Sequence, residues 1–336
     1  MVPDVSLNMR SRVVVHLSRT PLAGAPNRLV KSLNKYTDFH ALSFVESDYK
    51  GNTAGVFSGE NFFLGQKQSS DIWPLLEEAV KNASIIHIHN QIGSDVIEFL
   101  LRFEGQLPPI IYHLHSPIRE GPLYVPRGRQ LRLPIACTAA VSQMHPRFYP
   151  EATPLPNIVP SAPKPITIRR DDRVRILFAP SQARAGRWNG KSCKHLDEAL
   201  SRLSCRNDVD LVRLKHSQPS HVLEQIRRDC DITIDEIVTG GFHQISLEGL
   251  QAGNVVVNGA DEISMLTMMG WAHERPPFVR SNPDTIFADL KDLVDNKKGL
   301  SEKKKVSYDY AKAHLNPKKL IKIYEDLYNK LLDSHA

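Results

Sequence analysis

The stretch GGFHQISLEGLQAGNVVVNGADE, residues 240–262, sets a carboxylate inside a short helix between a glycine pair and a continuous apolar strand. Ile245, Leu247 and Leu250 recur with helical spacing, and Gly253 is a natural stop just past the helix end. Glu248 lies about one turn in, beside a strand that reads as buried. A carboxylate drawn out of bulk water needs hydrogen-bond donors, and a pair of ligand hydroxyls supplies them. Gly240 and Gly241 permit close backbone approach at the helix start, where free N–H groups favour an anion. Asp235 and Glu236 close the preceding apolar run ITIDE, so Asp235 is a second candidate polar contact at the ligand-binding end of a strand.

Histidines gather at other strand ends. His16 closes RVVVHLS, His87 and His89 close SIIHIHN, and His113 and His115 close PIIYHLHS. Side chains alternate faces along a strand, so each pair spaced by two serves one face. Repetition at several strand ends points to a shared cleft. No cysteine or carboxylate joins these histidines at a metal-ligand spacing, so no zinc is expected.

Three other patterns compete. AGRWNGKS (185–192) is a relaxed phosphate-loop pattern with Ala185 in place of its first glycine, and ITIDE would supply an Asp-Glu for Mg²⁺. Residues 180–184 separate the preceding strand from a loop that should follow it directly. DVD (208–210) and DCD (229–231) match a metal-binding Asp-x-Asp, but both precede their strands and fall at the wrong strand ends for a ligand.

The elements that position these residues alternate between β-runs and helical stretches. RVVVHLS, ALSFVES, SIIHIHN, PIIYHLHS, IACTAAVS and TPLPNIVP come first, interleaved with the helices NRLVKSLNKY, DIWPLLEEAVKNA and SDVIEFLLRFE. Prolines crowd 150–165, which reads as a linker. The alternation restarts with RVRILFAPS, CKHLDEALSRLS, VDLVRLKHS, SHVLEQIRRDC, DITIDEIV and the helix and strand quoted first. Such alternation predicts parallel sheets with crossover helices. In the tail, Leu320, Ile323, Leu327 and Leu331 carry helical spacing after the start signal Asn316-Pro317.

At 336 residues, two domains are expected. No apolar run approaches the ~20 residues that span a bilayer, and no signal peptide is read at the N-terminus. The four cysteines form no C-x-x-C pair, which fits reduced thiols in the cytoplasm. A net charge of +6 suits an anionic ligand or peripheral contact with a membrane, and no specific nucleic-acid motif is found.

Gly241-Phe242, the helix LEGLQAG and the strand NVVV resemble the glutamate-containing signature of retaining glycosyltransferases of family 4. There a Gly-Phe or Gly-Tyr loop precedes a Leu-Glu-Ala-Met-Ala-like helix, a glycine and a strand. The similarity extends over most of the chain. SIIHIHN is similar to the family's strand ending in His-x-His and YHLHS to its later strand ending in histidine. ILFAPSQ…NGKSCKHLDEAL is similar to its PS…KG strand–loop–helix, and YAKAHLNPKKLIKIYEDLY to its closing segment.

The resemblance implies an α/β fold of the GT-B type: two Rossmann-like domains facing across a cleft, with a C-terminal helix. Residues 1–160 would form the acceptor domain and 161–315 the nucleotide-sugar domain, with 316–336 a helix packing back towards the first. The implied activity is retaining transfer of a sugar from a nucleotide-sugar donor to a carbohydrate, lipid-linked or other hydroxyl acceptor. No metal and no cofactor beyond that co-substrate are implied. Glu248 would hold the ribose, with Gly241, Phe242 and Asp235 beside the donor. Lys191 at the KG position, assisted by Arg184 or Arg187, would neutralise the diphosphate as its charge grows. His115 matches the strand-end histidine near the sugar, and His16, His89 and Gly24 of the LAGAP loop (22–26) would lie on the acceptor side. The family commonly carries a second glutamate eight positions before the first, facing the sugar. Position 240 is glycine here. A P-loop NTPase and a catalytically silent nucleotide- or sugar-binding GT-B relative are the alternatives.

Overall fold

The computed structural model describes residues 12–48, 61–65, 72–103, 105–116, 132–166, 172–179, 193–214 and 218–335. The chain divides into two compact units. Unit 1 comprises Met1–Val141, Glu151–Ile158 and Ile321–Ala336, and unit 2 comprises Ser142–Pro150 and Val159–Leu320.

Unit 1 runs β1 (Arg12–Ser18), α1 (Ala25–Tyr36), β2 (Phe39–Val45), β3 (Asn61–Phe63), α2 (Ile72–Lys81), β4 (Ala83–His89), α3 (Ser94–Leu101), β5 (Ile110–Leu114), β6 (Ile135–Val141) and β7 (Thr153–Leu155). These strands form one sheet in the order β3-β2-β1-β4-β5-β6-β7, with parallel pairing throughout. From its second residue on, β1 is buried on both faces, which is why VVVHL reads as a continuous run rather than an alternation. The order reverses direction between β1 and β4. In an open parallel sheet such a switch point leaves a crevice outside the strand C-termini.

Unit 2 runs β8 (Val174–Phe178), α4 (Lys194–Ser204), β9 (Val209–Arg213), α5 (Ser220–Arg228), β10 (Ile232–Ile234), α6 (Gln244–Gln251), β11 (Val255–Asn258), α7 (Glu262–Ala272), β12 (Val279–Arg280), α8 (Ile286–Asp295) and α9 (Lys297–His314). Its parallel sheet is ordered β12-β11-β10-β8-β9. Counted from β8 this is the 2-1-3-4-5 order of doubly wound folds, with the switch point between β8 and β10. Phe178, Ile234 and Val257 of the central strands pack with Leu196 and Leu200 of α4 and Leu290 of α8 in one apolar core. This is the GT-B class of α/β fold: two Rossmann-like parallel sheets and a C-terminal helix.

The last helix, α10 (Pro317–His335), buries Leu320, Ile321, Tyr324, Tyr328 and Leu331, and from Ile321 on it belongs to unit 1. Ile323 and Leu327, expected inside, are only half-buried. The two tyrosines take the inner stripe because their hydroxyls find partners: Tyr324 donates to Pro156 O at 2.8 Å, and Tyr328 pairs with His87 Nδ1 at 2.7 Å. Among the described residues, no helix is long and apolar enough to cross a membrane.

Candidate functional site

In unit 2 the switch point lies where β8 and β10 end side by side, Ile234 being in register with Phe178. The loop leaving β10 is organised by its own carboxylates. Glu236, fully buried, accepts from the backbone N–H of Val238 at 2.7 Å, of Thr239 at 2.6 Å and of Gly241 at 3.1 Å, and from the Thr239 hydroxyl. Asp235 accepts from the His243 N–H at 2.6 Å and the Ser246 hydroxyl at 2.7 Å, and its second oxygen lies 3.0 Å from His243 Nδ1. Asp235 therefore ties the start of α6 to the end of β10. Gly241 and Phe242 lie in the same loop. The Gly241 N–H is spent on Glu236, and Phe242 is buried with its ring 5.5 Å from that of Phe278.

Glu248 points elsewhere. Its Oε2 pairs with Arg227 at the end of α5 at 2.5 Å, and the two side chains are only 13% and 8% exposed. The adjoining cavity, between Ser161, Lys164, Gln251 and this pair, is about 20 Å³. Arg227 is a residue the sequence reading missed. Its only signal is a basic side chain in the last turn of the preceding helix.

Gly240 adopts φ +79°, a left-handed conformation that strains any side chain. A Cβ there would come 2.8 Å from Asp261 Oδ2 and 3.1 Å from Arg147 Nη1, which together form an ion pair. A glutamate here would have to hold the left-handed backbone and displace the tips of the Asp261 and Arg147 side chains. Burial pushes the Asp261 carboxyl up, but hydrogen bonds from Arg147 and the Ser264 N–H outweigh it and hold the group below its ordinary range. Lys191, Arg184 and Arg187, and with them the AGRWNGKS pattern, lie outside the described residues. The described chain stops at Ala179, after β8, and resumes at Cys193, ahead of α4.

In unit 1, β1, β4 and β5 bring all five strand-end histidines onto one face, with His16 in register with His87 and His89 with His113. His16 Nδ1 lies 2.9 Å from His89 Nε2, and His89 Nδ1 lies 2.8 Å from His115 Nε2. His87 Nε2 lies 3.1 Å from His113 Nδ1. Burial depresses all five: His16 and His115 fall to about 3, and His87, His89 and His113 well below 6.5. They are neutral imidazoles at physiological pH. The Nε2 atoms of His16 and His113 are buried and have no hydrogen-bond partner. Gly24, at φ +81°, starts α1 from a left-handed conformation, and Arg28 one turn on donates to Ala23 O and Ile158 O at 3.0 Å.

Beside this cluster, at the β1/β4 switch point, lies a cavity of about 500 Å³ lined by Arg19, Glu46, Asn90, Gly93, Ser94 and Tyr112 among others. Glu46 accepts from the Gly93 N–H, and burial raises its carboxyl above the ordinary range, against the opposing pull of Gly93 and Arg19. Asn90 joins the cavity to the histidines, since its Oδ1 accepts from the His115 N–H at 2.6 Å. Glu46 follows β2 as His16 and His89 close their strands, so the same strand-end logic would have found it.

No family model matches the chain, and no curated protein matches it either. Solved structures do. Sucrose-phosphate synthase from Thermosynechococcus elongatus aligns with a TM-score of 0.61 at 11% identity, covering 96% of this chain and 100% of the other. The S. aureus MnaA–UDP co-structure aligns with a TM-score of 0.54 at 12% identity, covering 96% and 97%. The glycotransferase of kitacinnamycin aligns with a TM-score of 0.51 at 11% identity, covering 96% and 100%. At these identities the likeness is one of fold, extending over both units.

Proposed function

We propose that this protein is a retaining glycosyltransferase that moves a sugar from a nucleotide-sugar donor to an acceptor hydroxyl. The observation that carries the reading is the pairing of fold and polar strand ends. Both units share the GT-B fold of the sugar-handling neighbours, and each has buried polar side chains at the switch point where such sheets bind ligands. In unit 2 the donor nucleotide would lie between the residues that follow β8, Arg184 and Lys191 among them, and the loop after β10 with Asp235, Gly241 and His243. UDP, the ligand in the MnaA co-structure, is the first nucleotide to test. Glu248 would take a ribose hydroxyl on Oε1, its Oε2 being committed to Arg227.

In unit 1, a cavity of about 500 Å³ with a polar lining suits a carbohydrate or other hydroxyl-bearing acceptor. A lipid-linked acceptor would bring the protein to the surface of a membrane. The acceptor oxygen attacks the anomeric carbon from the face that the leaving phosphate vacates. The carbon–oxygen bond to the diphosphate breaks, and a phosphate oxygen takes the acceptor's proton. Lys191 stabilises the charge that grows on the diphosphate, with Arg184 beside it, and the reading places no cation at those phosphates. His115, neutral at physiological pH, serves as a hydrogen-bonding contact to the sugar.

The experiment is a thermal-shift screen against UDP, GDP, ADP, CMP and dTDP, followed by turnover assays with sugars of the best nucleotide. A ligand that binds only the folded chain raises its melting temperature. One nucleotide should do so, and its sugar conjugates should be consumed in the presence of an acceptor. Mg²⁺-dependent hydrolysis of ATP or GTP with no response to any nucleotide sugar would refute the reading.

A further inference from the structure

We propose that His89, His113 and His115 form a three-imidazole site for a divalent d-block cation of the Zn²⁺ class. One ring nitrogen from each lies within 4.8 Å of the others. The hydrogen bonds identify the nitrogens. His113 Nδ1 is engaged with His87, which leaves Nε2, a buried atom with no hydrogen-bond partner. His89 presents Nδ1 and His115 presents Nε2, the two being 2.8 Å apart. Tetrahedral coordination at metal–nitrogen distances of about 2.0–2.1 Å places ligand nitrogens roughly 3.3 Å apart. The His89 and His115 rings would therefore part by about half an ångström, which a rotation at χ1 or χ2 supplies.

The atoms behind the ligands fit the same assignment. With the cation on its Nε2, His113 donates from Nδ1 to His87 Nε2, and His87 donates from Nδ1 to the Tyr328 oxygen. His89, ligating through Nδ1, donates from Nε2 to His16 Nδ1. Partners of this kind fix the tautomer and orientation of metal-binding imidazoles. An all-imidazole set suits zinc, cobalt, nickel or copper and disfavours Mg²⁺ or Ca²⁺. Three protein ligands leave a fourth position for water or a ligand oxygen, reached past the half-buried His115. His89 lies 24 positions before His113 in the chain, so the register of β4 and β5 is what brings the set together.

The test uses untagged full-length protein, stripped with EDTA and titrated with Co²⁺. The expected result is one equivalent per chain with the visible d–d bands of tetrahedral cobalt, bleached by one equivalent of Zn²⁺. His115→Ala and His113→Ala should each weaken binding at least 100-fold, and Tyr328→Phe, which acts through His87 and His113, by roughly 10-fold. Circular dichroism establishes that each variant is folded. If a variant does not fold, the wild-type Co²⁺ protein decides alone, since three paramagnetically shifted imidazole N–H signals are expected in its proton spectrum. Uptake below a tenth of an equivalent, tetrahedral bands that survive in both histidine variants, or fewer than three shifted N–H signals would each overturn the proposal.

Discussion

Glu248 and Arg227 form a buried pair, and what each does for the other sets what a substitution there will show. Glu248→Gln removes the partner of a buried guanidinium, a loss of about 3–5 kcal/mol in comparable pairs, so the melting temperature should fall. If Oε1 also holds a ribose hydroxyl, the affinity for the best nucleotide falls as well, by about ten-fold or more, since a hydrogen bond to a charged group contributes roughly 1.5–3 kcal/mol. Calorimetry beside a melting curve separates the two roles. Lower stability with unchanged nucleotide affinity would leave Glu248 as Arg227's partner only. For Lys191→Ala the expected signature is the reverse. Turnover drops by on the order of 10²–10³ while affinity for the nucleoside stays level, because the lysine acts on charge that is complete only as the diphosphate departs. Single-turnover kinetics against nucleoside binding checks this. The residue scale was also where the sequence was least legible. Glu248 was legible as a partly buried carboxylate in need of donors, because its helix is short and precedes a buried strand; Arg227, which takes its Oε2, was not, being 21 positions away in another helix. The lack of a glutamate at 240 was legible. Its cause, a left-handed backbone against the Arg147–Asp261 pair, was not.

At the scale of elements, α6 sits so close to the sheet that Gly249 is part of its packing. A Cβ there would meet Val256 Cγ2 at 2.8 Å and Thr233 Cβ at 3.0 Å. Gly249→Ala would gain up to about 1 kcal/mol in helix propensity and lose roughly 1–3 kcal/mol to overpacking. Packing wins, and a lower denaturation midpoint in urea is expected. The histidine face of β1, β4 and β5 gives the metal-free protein a steep acid limit. Each ring takes up a proton near pH 6.5 when unfolded, whereas in the fold His16 and His115 stay neutral to about pH 3. Their contribution is intact above pH 6.5 and falls as the pH drops, by up to about 1.4 kcal/mol per pH unit for each ring. His87, His89 and His113 are depressed in the same direction and add to the loss. Near-ultraviolet circular dichroism in EDTA should show cooperative loss of structure as the pH falls below the ordinary histidine range. Histidine-to-glutamine changes should move that midpoint to lower pH in variants that fold. The strands themselves were legible because buried parallel strands are continuous β-branched runs. Short edge strands such as β3 and β12 were not, since two or three residues carry no period.

At the scale of the molecule, unit 1 is assembled from separated pieces of chain, ending with Ile321–Ala336. Tyr328 is fully buried with its ring edge-on to Phe39 at 5.4 Å and its hydroxyl on His87. Ending the chain after Leu320 should therefore expose the histidine face and make residues 12–141 protease-sensitive, with unit 2 surviving as a resistant fragment. Limited proteolysis with mass spectrometry checks this; equal resistance of both units would show α10 to be dispensable. The alternation that announced two α/β halves was legible along the chain. The inner stripe of the last helix came out as tyrosines because aliphatic periodicity ignores hydroxyls in need of a partner. This chain path also has a consequence on the ribosome. About 180 residues separate Val141 from Ile321, and at synthesis rates of about 5–20 residues per second that gap takes roughly 10–40 s to translate. During that interval the nascent unit 1 waits with its histidine-bearing face uncovered, while unit 2, whose segments are all made before Ile321, is free to finish first. The half that is translated first is the half that completes its fold last.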